Sequence, residues 1–176
     1  MSTSIQTEIS RINELFTSYG YDYNILGIAR LFYNDKSHTE GDLIKNIYYN
    51  IRLLKYAGFS MEEALAFLIQ HKNFMFENMN MFNLKCAILN KVGLLNAVLK
   101  NNPTMLGSLN KLSAKRLYAL LCYIKARGQE ISYESLSNVN LPVQSMDRLA
   151  EQYNLNDEVN SVLVKKLNSD IEHCLQ

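Results

Sequence analysis

The chain lacks every short motif that commonly announces catalysis. It has no GxxxxGK[ST] or GxGxxG loop to cradle a phosphate, no GxSxG nucleophile turn and no HExxH zinc helix. His38, His71 and His173 stand far apart, with no second histidine or carboxylate at metal-ligand spacing, so each reads as a surface or helix-end residue. The paired carboxylates Glu62 and Glu63 fall in the first turn of a capped helix, where negative charge complements the backbone dipole. No catalytic residue, metal, cofactor or small-molecule substrate is expected, and the chain reads as non-enzymatic.

Other absences narrow the class. Cys86, Cys122 and Cys174 are odd in number and form no CxxC pair, which excludes a disulfide framework and points to reduced, packed thiols. No stretch approaches the roughly 18 apolar residues that a membrane span requires. The opening MSTSIQTEISRINELF lacks the cationic start and apolar block of a secretion signal. The expected setting is the cytoplasm or another reducing compartment, with no membrane partner. Alternating strand patterns are missing as well.

What is present is helical spacing almost everywhere. Ile5, Ile9, Ile12 and Phe16 recur at three to four residues, as do Ile44, Ile47, Ile51 and Leu54. Ser60 with Glu63 makes a capping box, Ser113 suits an N-cap, and Pro142 suits a first turn. About ten helices follow, near 4–18, 23–33, 41–56, 61–71, 80–91, 94–101, 114–126, 132–138, 143–153 and 157–174. With 176 residues, 48% hydrophobic and 20% charged, the chain suits one globular domain that buries roughly 70% of its unfolded surface.

Gly58, Gly93 and Gly128 are spaced 35 residues apart, and the residues before them match in register. Counting back four, seven and eleven places gives Leu54, Leu89 and Ile124, then Ile51, Cys86 and Leu121, then Ile47, Phe82 and Leu117. These offsets trace one helix face that ends in a residue suited to the left-handed conformation. Gly20 is a candidate for the close of an earlier, more diverged unit. Equal spacing implies supersecondary units that stack on their neighbours, hence an all-α fold built as a short α-solenoid. The units run approximately 41–77, 78–112 and 113–142, with helices of 4–38 and 143–174 as caps in one domain over 1–176.

The segment LLKYAGFSMEEALAFLIQHKNFMF resembles one repeat of the mitochondrial transcription termination factor (mTERF) family through Leu54, Gly58, Leu65 and the pair Phe74 and Met75. Lys72 replaces the proline that opens the short third helix of that repeat. The next copy, LNKVGLLNAVLKNNPTML, restores it with Leu89, Gly93, Leu99, Pro103, Met105 and Leu106. It is four residues shorter between glycine and proline, and a third copy keeps Ile124 and Gly128 before drifting. The resemblance covers roughly residues 40–142. It implies right-handed stacking of triangular helical units with a concave, basic surface for double-stranded nucleic acid.

Net charge is only +1, yet residues 78–129 contain no acid at all. That stretch holds Lys85, Lys91, Lys100, Lys111, Lys115, Arg116, Lys125 and Arg127, while the flanking segments are net acidic. Lys45, Asn80 and Lys115 share one repeat position, and Lys55, Asn90 and Lys125 another, so stacked units would align them in two ladders. Such side chains suit phosphate and sugar contacts. Nucleic acid, DNA or RNA, is therefore one expected partner. The alternative is a partner protein, with the chain serving as a small adaptor or a secreted bacterial effector. The methionine-rich cluster Phe74, Met75, Met79 and Met81 is then the candidate docking patch.

Overall fold

Four glycines punctuate the fold. Gly20, Gly58, Gly93 and Gly128 hold φ of +87°, +99°, +76° and +72°. Each closes a helix in the same way. The Gly93 N–H donates to the Asn90 carbonyl at 3.1 Å and the Leu94 N–H to the Leu89 carbonyl at 2.9 Å. The Gly58 and Gly128 N–H groups likewise reach the Lys55 and Lys125 carbonyls, each at 3.0 Å. Gly20 repeats the closure onto Thr17, with Tyr21 reaching Phe16. Two orphan carbonyls of each final turn are thereby satisfied, in a backbone conformation that a side chain would disfavour.

The computed structural model describes residues 3–22, 40–71, 79–107 and 110–174. Among them lie nine α-helices, one 3-10 turn and no strand. The helices are α1 (Thr3–Ser18), α2 (Glu40–Tyr56), α3 (Met61–Gln70), α4 (Met79–Lys91), α5 (Leu95–Asn101), α6 (Ala114–Ala126), α7 (Tyr133–Asn138), α8 (Val143–Gln152) and α9 (Asp157–Ile171). The described residues form an all-α fold, as the periodicity implies. The helix expected near 23–33 lies outside the described residues. The 3-10 turn, Pro103–Leu106, forms where the second repeat copy restores its proline, and that proline opens it.

Local signals act where the sequence places them. Ser60 Oγ accepts from the Glu63 N–H at 3.1 Å while Glu63 Oε1 accepts from the Ser60 N–H at 3.0 Å, completing the capping box of α3. Ser113 caps α6 by accepting from the Arg116 N–H at 3.3 Å. Pro142 occupies the N-cap position of α8, one residue ahead of the first turn.

The nine register positions before the glycines are all core. Ile47, Ile51, Leu54, Phe82, Cys86, Leu89, Leu117, Leu121 and Ile124 are each buried, the most exposed at 3%. Fully burying one such aliphatic side chain is worth roughly 1.5–3 kcal/mol, so this face sets where the helices pack.

By its contacts the chain divides into two compact units, Met1–Phe76 with His173–Gln176 and Glu77–Glu172, within the span that the sequence reads as one repeat domain. In the first unit α2 packs on α1 and on α3. Tyr48 Oη donates to Glu8 Oε2 across the α1–α2 contact at 2.8 Å. Burial, then that hydrogen bond and the Glu8 charge, push the Tyr48 phenol up to about 12. In the second unit α9 packs on α4, α4 on α6, and α6 on α8, while α7 folds back onto α6. The final helix buries Leu167 fully and Ile171 to 2% exposure, and Asn90 of α4 donates to Asp170 of α9 at 3.5 Å. No helix among the described residues is long and apolar enough to cross a membrane.

Candidate functional site

The second unit carries the whole acid-free stretch, and its eight cations fall into three groups. Lys91, Lys111, Lys115 and Lys125 are exposed. Lys115 and Lys125 sit in the first and last turns of α6, ten residues and so about 15 Å apart along its axis. Lys91 ends α4, and Lys111 precedes the α6 cap. Lys100, in the last turn of α5, is exposed but already takes part in another interaction.

Two arginines are held by neighbours. Arg116 donates from Nε to Asp147 Oδ1 at 2.8 Å and from Nη2 to Asp147 Oδ2 at 3.3 Å, joining α6 to α8. A third bond runs to the Lys111 carbonyl, which fixes the approach to α6. The hydrogen bond from Arg116, above all, holds the Asp147 carboxyl below the usual carboxylate range. Arg127 lies over the Tyr123 ring, 5.3 Å from its centroid, and donates to Tyr123 Oη at 2.6 Å.

Lys85 departs from the expectation of a phosphate contact. It is 1% exposed, and its Nζ donates to the Met105 and Gly107 carbonyls, each at 3.0 Å. These carbonyls lie at the end of the Pro103–Leu106 turn, where the negative end of a helical turn attracts a cation, and the Gly107 carbonyl also accepts from the Asn110 N–H at 3.2 Å. A charge taken out of water has to be met by hydrogen bonds of this kind. Lys85 ties α4 to the turn and has no surface left for a phosphate.

The two ladders are filled unevenly. Lys45, Lys115 and Lys125 are exposed, Lys55 is half-buried, and Asn90 is engaged by Asp170. Asn80 lies in α4, but its side chain is outside the described residues. The alternative docking patch is similarly placed: Phe74 and Met75 lie outside the described residues, and Met79 and Met81 belong to α4 without described side chains.

Two clefts that the sequence did not suggest flank the α7–α8 connection. The larger, about 530 Å³, is lined by Tyr123, Arg127, Glu130, Glu134 and Asn138 among others. The smaller, about 290 Å³, has Met105, Leu112, Leu120, Leu136 and Met146 on its floor. Val139, Asn140 and Leu141 line both.

None of Cys86, Cys122 and Cys174 is in a disulfide, and burial pushes the Cys86 thiol far above its ordinary range, which leaves it inert as a nucleophile. His71 packs on Phe67 with ring centroids 4.6 Å apart, and burial lowers its pKa. No group of three or more histidine, cysteine or acidic side chains among the described residues is arranged to hold a metal ion. Compared with protein-family models, characterised proteins and solved structures, the chain matches none of them.

Proposed function

We propose that this chain is a non-enzymatic helical-repeat protein that binds the phosphate backbone of a nucleic acid through the second unit. The observation that carries the reading is the exposure of Lys91, Lys111, Lys115 and Lys125 in a stretch without a single acid. The mTERF-like pattern and the shared glycine closures support a stack of helical hairpins as the scaffold. Arg116 and Lys85 hold the scaffold together, and the four lysines supply affinity without reading sequence.

Fluorescence anisotropy with labelled duplex DNA, duplex RNA and single strands, at about 50 and 200 mM salt, tests the proposal. Binding that weakens steeply with salt supports it, and no binding at the lower salt retires it. A second reading, an adaptor or effector that docks on a protein, draws on a different observation: the smaller cleft between α6, α7 and α8.

A further inference from the structure

The larger cleft brings together groups that suit a flat, neutral ligand rich in hydrogen-bond donors. It forms where α6 gives way to α7: Tyr123 stands near the end of α6, Arg127 is its C-cap, and Glu134 lies in the first turn of α7. Arg127, Glu130, Glu134 and Asn138 are exposed and Tyr123 is half-buried, so an occupant meets accessible side chains. At about 530 Å³ the cleft falls within the range of small-ligand sites.

One side of the cleft carries flat groups. The Arg127 guanidinium lies 5.3 Å from the centroid of the Tyr123 ring and is fixed there by its 2.6 Å hydrogen bond to Tyr123 Oη. Nucleobases stack on both kinds of plane. The guanidinium also takes the seat over the ring that a ligand cation would otherwise fill, which turns the cleft toward a neutral occupant. The other groups supply hydrogen bonds. Ser132 and Ser135 spend their hydroxyls on the α7 cap, whereas among the described residues no hydrogen bond or ion pair engages the side chains of Glu130, Glu134, Asn138 or Asn140. Glu130 and Glu134 accept and cannot donate, and against the single Arg127 they leave the lining net acidic. An occupant therefore brings N–H groups and leaves any phosphate outside.

We propose that this cleft binds a guanine base, stacked on the Arg127 and Tyr123 planes with its N1–H and 2-amino groups donating to the carboxylate of Glu130 or Glu134. Guanine sets two N–H donors side by side, at the spacing of the two oxygens of one carboxylate, and adenine, cytosine and uracil do not. Half-buried Val139 and Leu141 add apolar surface for the edge of the ring system. The base comes from a free nucleoside or from an unpaired guanosine in a strand. The site goes beyond the phosphate-backbone reading and does not rest on it, because it uses none of the four exposed lysines.

The test uses the full chain with ring-labelled tyrosine, the Tyr123 signal being assigned from a Tyr123→Phe sample. Guanosine should shift the Tyr123 ring resonances, inosine, which lacks the 2-amino group, should bind about tenfold more weakly, and uridine should leave them unmoved. Guanosine 5′-monophosphate should bind more weakly than guanosine, because its phosphate meets a net acidic lining. Glu130→Gln combined with Glu134→Gln should weaken guanosine about tenfold and remove the disadvantage of the monophosphate, both residues being exposed so that the fold is spared. A single strand with one guanosine among thymidines tells the two sources apart. A shift at lower concentration than the free nucleoside needs assigns the site to a strand, and the reverse assigns it to the nucleoside. No shift with guanosine, or an equal shift with uridine, would overturn the inference. A shift with agmatine in place of guanosine would also overturn it, by making the cleft a cation site. The salt dependence of duplex binding reads the lysines separately, so either idea can fail without the other.

Discussion

Salt dependence offers the sharpest test of the basic surface, because the proposed set of four lysines sets the slope to be expected. Lys91, Lys111, Lys115 and Lys125 are exposed, whereas Lys85 is buried and Arg116 is paired with Asp147. Four phosphate contacts give a slope of about −3.6 for log K against log salt, so raising salt from 50 to 200 mM weakens binding roughly 150-fold. Replacing Lys115 and Lys125 by glutamine leaves two contacts, and the same change in salt then weakens binding only about 12-fold. Both side chains project into solvent from the ends of α6, so helix content by circular dichroism should not change. Anisotropy of a labelled duplex across that salt range gives both slopes. Equal slopes for the parent and the double variant would show that these lysines touch no phosphate.

Further tests address the scaffold. Gly93 holds a positive φ, and a Cβ there would meet nothing within 4 Å, so Gly93→Ala should cost only the backbone strain, about 1–2 kcal/mol in urea denaturation. No loss would mean that the closure relaxes. The folded Asp147 carboxyl titrates below its unfolded value, so its contribution is present above the unfolded pKa and is lost as pH falls through the folded one. In Arg116→Gln its titration followed by NMR should move back up, and an unmoved curve would dissociate the pair. Glu8→Gln should lower the Tyr48 pKa from about 12 in an alkaline titration, since the negative charge disappears and the amide oxygen that replaces the carboxylate is a weaker acceptor. An unchanged value would leave burial as its sole cause.

Much of the fold was legible because it depends on local rules. Helix ends follow from Ser60, Ser113 and the four glycines, each acting on backbone groups within five residues. The core face follows from spacing, and all nine register positions are buried. Pairings across long separations were not legible. Arg116 meets Asp147 thirty-one residues later, and Asn90 meets Asp170 eighty residues later, with nothing in either local pattern to single out the partner. The smaller cleft belongs to the same class, since α6, α7, α8 and the Pro103–Leu106 turn form its walls together.

Lys85 is different, because the register did contain its fate. Eight places before the three repeat glycines stand Asn50, Lys85 and Leu120, and they are 2%, 1% and 4% exposed. This position falls between the core positions four, seven and eleven places back, so counting Lys85 with the surface charge set composition against periodicity. Periodicity wins, because a lysine on a core face is kept by whatever carbonyls its ammonium can reach, here those of Met105 and Gly107. The two kinds of lysine should therefore separate by experiment. Lys85→Met keeps most of the packing volume but takes the ammonium away from both carbonyls, of which only Gly107 keeps another donor, the Asn110 N–H, and should cost about 1–3 kcal/mol of stability while leaving the salt slope unchanged. Lys115→Gln with Lys125→Gln should do the reverse. A Lys85→Met protein of normal stability but reduced salt slope would return Lys85 to the surface and overturn its assignment.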